Sequence, residues 1–279
     1  MKINLAKSMG FCFGVRRAID IALKAAASEK NVYMLGDIVH NEDVARQMYR
    51  AGIKKVKKLT GGKNKIFIIR AHGIDKASYQ KAERLGYKVI DATCPMVKEI
   101  HRIARTTEDP SCQIIVIGDK RHDEVKGIVG QLKGKAIIID NPKNINLREI
   151  KELKKACVVV QSTQIIENVF RIISILRKYI KDLKFFNTVC RPTRIKQQEI
   201  KTLPLENDVV IVIGSKNSAN TKRLYEISKS LNKRSYWINA TKDIKKVWFR
   251  QAKSVGITSG ASTPDSATES IIKYIEKLK

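Results

Sequence analysis

Short runs rich in valine and isoleucine recur along the whole chain, separated by stretches whose apolar residues fall at helical spacing. The runs are KINL at 2–5, VYMLGDI at 32–38, KIFIIR at 65–70, YKVID at 87–91, QIIVIG at 113–118 and KAIIID at 135–140. They continue as ACVVVQ at 156–161, KFFNT at 184–188, DVVIVIG at 208–214, SYWIN at 235–239 and SVGIT at 254–258. Continuous apolar runs of this length read as strands buried on both faces. Helical patterns cover 15–29, 42–51, 76–85, 97–106, 125–131, 167–179 and 222–231. Strands alternating with helices predict an α/β fold built on parallel sheets.

The residues just beyond the strands are distinctive. His40, His72, Cys94, His122, Ser162 and Cys190 each stand there, as do GSKNSAN at 214–220 and SGAS at 259–262. Ligands of open α/β sheets bind beyond the carboxyl ends of the strands, so these residues mark the expected site. The intervals between Cys12, Cys94 and Cys190 each hold roughly one small lobe. We therefore expect three α/β lobes, 12–94, 95–189 and 190–279, each sending one cysteine toward a shared centre.

Five cysteines, at 12, 94, 112, 157 and 190, are odd in number and widely spaced, unlike a secreted disulfide framework. The first ten residues carry no long apolar core, and no stretch approaches the roughly 18–20 apolar residues of a membrane span. A cytoplasmic protein with reduced thiols is the expectation. Lys and Arg number 55 against 27 Asp and Glu, a net charge of +28. Such a field attracts nucleic acid, acidic proteins and phosphorylated small molecules alike. Segments such as KKVKK at 54–58 read first as a solvated lysine coat. Aromatic residues are only 6% and do not interleave with the basic ones, which argues against a single-strand nucleic-acid binder.

Cys12, Cys94 and Cys190 each precede a helix, and Cys94 is followed by Pro95, a residue favoured in the first helical turn. A helix N-terminus favours the thiolate, the form that binds metal. Three thiolates suit a metal with an open position or a cluster with one exposed iron, and soft sulfur selects zinc or iron–sulfur. Burial as structural cysteines is the competing reading, and the preferred one for Cys112 and Cys157, which lie in or beside strands. His40, His72 and His122 suit metal ligation, acid catalysis or phosphate binding, whereas His101 lies within a helical pattern and reads as structural. His122-x-Glu124 pairs a donor with a carboxylate; in a closed cavity desolvation raises a carboxyl's pKa toward neutrality and equips it to deliver protons. The same H-x-E opens a zinc deaminase signature, but the P-C-x-x-C it requires is absent. Small polar loops at strand-to-helix turns, such as 214–220 and 259–262, make phosphate cradles.

Together these segments resemble the 4-hydroxy-3-methylbut-2-enyl diphosphate reductase family. The matching pieces are GFCFGVRRA at 10–18, VHN at 39–41, RAHG at 70–73, DATCP at 91–95, GD at 118–119 with HDEV at 122–125, GSKNS at 214–218 with Asn220, and GASTP at 260–264. The resemblance implies three α/β lobes around a 4Fe–4S cluster bound by Cys12, Cys94 and Cys190, with 1–11 packed on the third lobe. It implies substrate binding by His40, His72, His122, Ser162, Ser218, Ala219, Asn220 and Ser262, and proton delivery by Glu124. The implied reaction is the last step of the non-mevalonate isoprenoid pathway: reductive removal of the substrate hydroxyl, yielding isopentenyl and dimethylallyl diphosphate. An acidic electron donor such as ferredoxin or flavodoxin would dock on the basic surface. Three departures stand out: Ala219 replaces a second serine, Ser162 a usual threonine, and RPTRIKQ comes after Cys190 where the family reads close to x-A-T-x-x-R-Q. Outside the family, the rivals are a zinc hydrolase or deaminase on the same cysteines and a charge-driven nucleic-acid binder.

Overall fold

The valine and isoleucine runs pair side by side, so that the computed structural model, which describes residues 1–278, contains three four-stranded parallel sheets. The strands are β1 (Lys2–Leu5), β2 (Val32–Leu35), β3 (Lys54–Val56), β4 (Ile66–Ile69), β5 (Lys88–Asp91) and β6 (Gln113–Ile117). Then come β7 (Ile137–Ile139), β8 (Lys155–Val160), β9 (Asp182–Phe185), β10 (Val209–Ile213), β11 (Ser235–Ile238) and β12 (Ser254–Ser259). The helices are α1 (Phe13–Ser28), α2 (Glu42–Arg50), α3 (Lys76–Arg84), α4 (Pro95–Thr106) and α5 (Asp123–Val129). The remainder are α6 (Leu147–Lys151), α7 (Ile166–Leu176), α8 (Arg191–Thr202), α9 (Ala219–Leu231) and α10 (Asp265–Glu276). Among the described residues, no helix is long and apolar enough to cross a membrane.

Two compact units emerge. One comprises Met1–Arg16, Val39–Gln47 and the chain from Arg191 onward, and holds the sheet β1-β12-β10-β11. The other comprises Arg17–Ile38 and Met48–Cys190, and holds the sheets β3-β2-β4-β5 and β7-β6-β8-β9. In the first unit the N-terminal strand lies in register against β12, with Leu5 opposite Ile257.

The unbroken apolar runs are explained by double-sided burial. On one face of the β6–β8 sheet, Ile115, Ile117, Val158 and Val160 pack with Ile172 and Leu176 of α7. On the other, Ile114, Val116 and Val159 meet Ile100 and Ala104 of α4 and Val125 and Ile128 of α5. Fully burying each such side chain contributes roughly 1.5–3 kcal/mol.

Several elements differ from the sequence reading. The 54–58 lysine segment contains β3, an edge strand with exposed Lys54 and Lys55; charged edges resist pairing with other chains. Strand β9 runs Asp182–Phe185 rather than over 184–188, and Thr188, beyond its end, serves the sheet with its side chain instead. Its Oγ1 accepts from the Val160 N–H at 2.8 Å and donates to the Val160 carbonyl at 2.5 Å. Helices α8 and α10 had no clear apolar period. In α8 the buried stripe is Thr193, Lys196, Gln197 and Ile200, mostly polar, so its spacing is invisible to a hydrophobic pattern.

His101, which its helical setting reads as structural, is buried in the fold. It is buried on α4 and lies against the backbone of Gly73 and Gly127. Burial lowers its pKa to about 4. The unfolded chain therefore binds a proton between the ordinary value near 6.5 and about 4, while the folded chain does not, so stability falls with pH across that window. By pH 5 this linkage costs about 2 kcal/mol. Denaturant midpoints at pH 7 and pH 5 should show that loss in the wild type and a reduced loss in His101→Gln. Equal losses in both proteins would contradict the assignment.

Candidate functional site

In the larger unit, the loops at the carboxyl ends of β4, β5, β6, β8 and β9 are joined by a run of polar contacts. The Cys94 N–H donates to the carbonyl of Ala71, the residue before His72, at 3.0 Å. The His72 ring meets the His122 ring edge-on, 5.4 Å between centroids. His122 caps α5, its Nδ1 accepting the Glu124 N–H at 3.1 Å. With Nδ1 an acceptor, the neutral imidazole carries its proton on Nε2 and presents a donor there. Glu124 is buried at 2% exposure. One of its oxygens accepts the Ser162 N–H at 2.6 Å, and the other accepts the Ser162 hydroxyl at 2.8 Å. The Ser162 carbonyl in turn accepts the Cys190 N–H at 3.0 Å. The sequence-identified residues Cys94, His72, His122, Glu124, Ser162 and Cys190 thus form one connected series.

The local fold creates this series. Each strand ends in a turn that starts a helix, so the side chains at that turn face the same end of the sheet. Cys94 occupies the N-cap of α4 with Pro95 as the first helical residue, and Cys190 directly precedes α8. Arg70 and Asp123, an ion pair at 2.7 Å, tie the His72 loop to the first turn of α5.

The smaller unit has a second group at the ends of β10 and β12. The Cys12 N–H donates to the Ala261 carbonyl at 3.1 Å, and the Gly10 N–H to the Ser259 hydroxyl at 2.7 Å. Gly10 has φ +80°, and a Cβ there would lie 2.2 Å from an Asp265 carboxylate oxygen. Only glycine fits that turn. Ser262 donates to the His40 carbonyl at 3.3 Å and lies 3.5 Å from the Ser218 hydroxyl. Ser218 caps α9 by accepting the Thr221 N–H at 3.3 Å. Asn220 is buried, and its Nδ2 has no hydrogen-bond partner. Ala219, the first residue of α9, offers backbone but no hydroxyl.

Two residues escaped sequence reasoning. Glu42 accepts from the Ser215 hydroxyl at 2.8 Å and from the amides of Asn217 and Asn239 at 3.3 Å each. It fixes the loop that carries Ser218; its position just after His40-Asn41 was the only available signal. Lys196 is buried at 3% exposure, with its ammonium on the carbonyls of Ser8 and Ser259. Burial lowers its pKa to about 8, against the opposing pull of Cys12, Glu199 and Asp265.

The cysteines separate by setting. Cys12, Cys94 and Cys190 form no disulfide among the described residues and are partly accessible, each at a helix N-terminus. Cys112 and Cys157 are buried with their sulfurs 3.0 Å apart, and burial pushes the Cys112 thiol up to about 12. The first three offer the soft, deprotonatable donors that an iron–sulfur cluster requires, so the residues present fit such a group.

The family model described as LytB protein matches residues 3–276. The 4-hydroxy-3-methylbut-2-enyl diphosphate reductase of Geobacter metallireducens is 36% identical over 278 residues, covering 100% of this chain and 98% of its own. That of Campylobacter fetus subsp. fetus is 38% identical over 281 residues, covering 100% and 98%. A solved (E)-4-hydroxy-3-methyl-but-2-enyl diphosphate reductase, described as the terminal enzyme of the non-mevalonate pathway, has TM-score 0.72 and 35% identity, with 99% and 100% of the chains covered. The E-1-hydroxy-2-methyl-but-2-enyl-4-diphosphate reductase of Plasmodium falciparum has TM-score 0.90 and 26% identity, with 98% and 87% covered. On these matches the chain belongs to the LytB protein family, the 4-hydroxy-3-methylbut-2-enyl diphosphate reductase family that its motifs resemble.

Proposed function

We propose that the chain removes the hydroxyl group of 4-hydroxy-3-methylbut-2-enyl diphosphate reductively, with a 4Fe–4S cluster held by Cys12, Cys94 and Cys190. The substrate, two electrons and two protons give water and either isopentenyl or dimethylallyl diphosphate. The observation that carries this reading is the buried Glu124 carboxyl, gripped by Ser162 and set in the series that runs from Cys94 to Cys190. Family membership supports the substrate, and the three accessible thiols support the cofactor.

When bound, the cluster supplies electrons singly and a Lewis-acidic iron. The chain's own side chains do the rest. Hydroxide is a poor leaving group, so a proton must reach the substrate oxygen as the C–O bond breaks. Glu124 delivers it, and the oxygen departs as water. Ser162 holds both carboxyl oxygens and so fixes the direction of delivery. The second proton goes to either end of the allylic system, which accounts for two isomeric products. His72 and His122 donate to the diphosphate, His40 joins them, and Ser218, Asn220 and Ser262 complete the cradle. The unpartnered Asn220 amide is a ready donor. The first turn of α9 adds the favourable end of the helix dipole and the Ala219 backbone N–H. The +28 charge steers the anionic substrate and an acidic electron carrier of the ferredoxin or flavodoxin kind.

Two measurements test the assignment. After anaerobic reconstitution, the wild type should contain iron and acid-labile sulfide in equal amounts. Cys12→Ser, Cys94→Ser and Cys190→Ser should each lose most of both, while Cys112→Ser and Cys157→Ser keep them. Zinc without sulfide, or a full cluster in Cys190→Ser, would refute the ligand set. The second is turnover by Glu124→Gln. Glutamine keeps the Ser162 contacts, since its oxygen accepts the N–H and its amide can donate to the hydroxyl, but it has no acidic proton. General acid catalysis is worth about 100- to 10,000-fold. A loss of at least that lower size is expected at matched cluster content, with substrate affinity little changed. Near-normal turnover would move the acid role to His122.

A further inference from the structure

Lysine is almost never fully buried without a charged partner, yet Lys196 sits inside the buried stripe of α8, between Thr193 and Ile200. Its ammonium donates to two neutral acceptors, the carbonyls of Ser8 and, at 3.2 Å, Ser259. Among the described residues no carboxylate forms an ion pair with it. Glu199, one turn further along α8, instead grips Ser8, accepting its N–H at 3.1 Å and its hydroxyl at 2.5 Å. Asp265 is paired with Arg16 at 3.5 Å. The molecule thus carries a buried positive charge with no carboxylate paired to it, which is costly unless something anionic compensates it.

The two carbonyls lie beside the Cys12 turn. Both acceptors lie on the loops that build the Cys12 turn. Ser8 starts the segment that ends at Cys12, and Ser259 precedes Ala261, whose carbonyl accepts the Cys12 N–H. The Ser259 hydroxyl also accepts the Gly10 N–H. Among the neighbouring groups whose negative charge would favour the Lys196 ammonium, Cys12 comes first, ahead of Glu199 and Asp265.

We infer that Lys196 is a positioning residue of the Cys12 ligand, its buried ammonium fixing the turn that bears the sulfur and raising the reduction potential of the cluster bound there. The inference rests on the cluster assignment above. Each one-electron reduction adds one negative charge to the cluster, and a fixed cation in a low-dielectric setting stabilises the more negative state. Removing the charge therefore lowers the potential.

Lys196→Gln keeps hydrogen-bond donors for both carbonyls but removes the charge; Lys196→Arg keeps the charge. The holoproteins are compared after anaerobic reconstitution, by iron and sulfide content and by potentiometric titration followed by electron paramagnetic resonance. Lys196→Gln should make one-electron reduction at least about tenfold less favourable, a fall of about 59 mV, with Lys196→Arg close to wild type. A full cluster at unchanged potential in Lys196→Gln overturns the inference. If Lys196→Gln loses the cluster, retention in Lys196→Arg supports the charge role, and equal loss in both overturns it. A wild type without iron and sulfide would defeat the cluster assignment itself, a result separate from these.

Discussion

The Glu124–Ser162 clasp is the interaction on which the larger unit's functional end depends. A buried carboxyl is costly unless its oxygens are satisfied, and here one neighbouring residue satisfies both, with its backbone N–H and its hydroxyl. Ser162 also accepts the Cys190 N–H, and His122 accepts the Glu124 N–H, so a cysteine and a histidine are each tied through the backbone to one of the two clasped residues. The same contacts keep Glu124 aimed, a requirement for any group that must meet a reacting oxygen at hydrogen-bond range.

Parallel sheets make such a series possible. Every strand of a parallel sheet ends at the same edge, and every following helix begins there, so thiols, imidazoles and hydroxyls placed after strands gather without long loops. Helix N-termini add partial positive charge at the same edge, favouring thiolates and phosphates. In the smaller unit the arrangement is repeated with different residues: Cys12 is tied to the β12 loop, and Ser218 and Asn220 open α9. There the additional charge comes from Lys196 rather than from a carboxyl. In each unit, then, polar side chains gather where parallel strands end and helices begin.

Much of this was legible in the sequence. The valine and isoleucine runs located every strand but β3, and the residues after them identified Cys94, His72, His122, Glu124, Ser162 and Cys190. The features that stayed hidden did so for physical reasons. Strand β3 is a lysine-rich edge, and its composition resembles that of any solvated segment. Helix α8 buries a polar stripe, so no apolar period announces it or its lysine. The grip of Ser162 on Glu124 joins positions 38 residues apart, one in the first turn of α5 and the other in the turn after β8, and no local pattern records such a contact. Glu42 is of the same kind, since its partners Ser215, Asn217 and Asn239 lie far along the chain.

The central claim is that the chain cleaves a carbon–oxygen bond reductively and leaves the diphosphate intact. Incubating the reconstituted, chemically reduced protein with 4-hydroxy-3-methylbut-2-enyl diphosphate in D₂O, under anaerobic conditions, and analysing the products by mass spectrometry tests this directly. The account predicts isopentenyl and dimethylallyl diphosphate, each lacking the hydroxyl and carrying one deuterium on carbon. Recovery of unchanged substrate from protein with a full cluster, or release of phosphate with the hydroxyl retained, would contradict it.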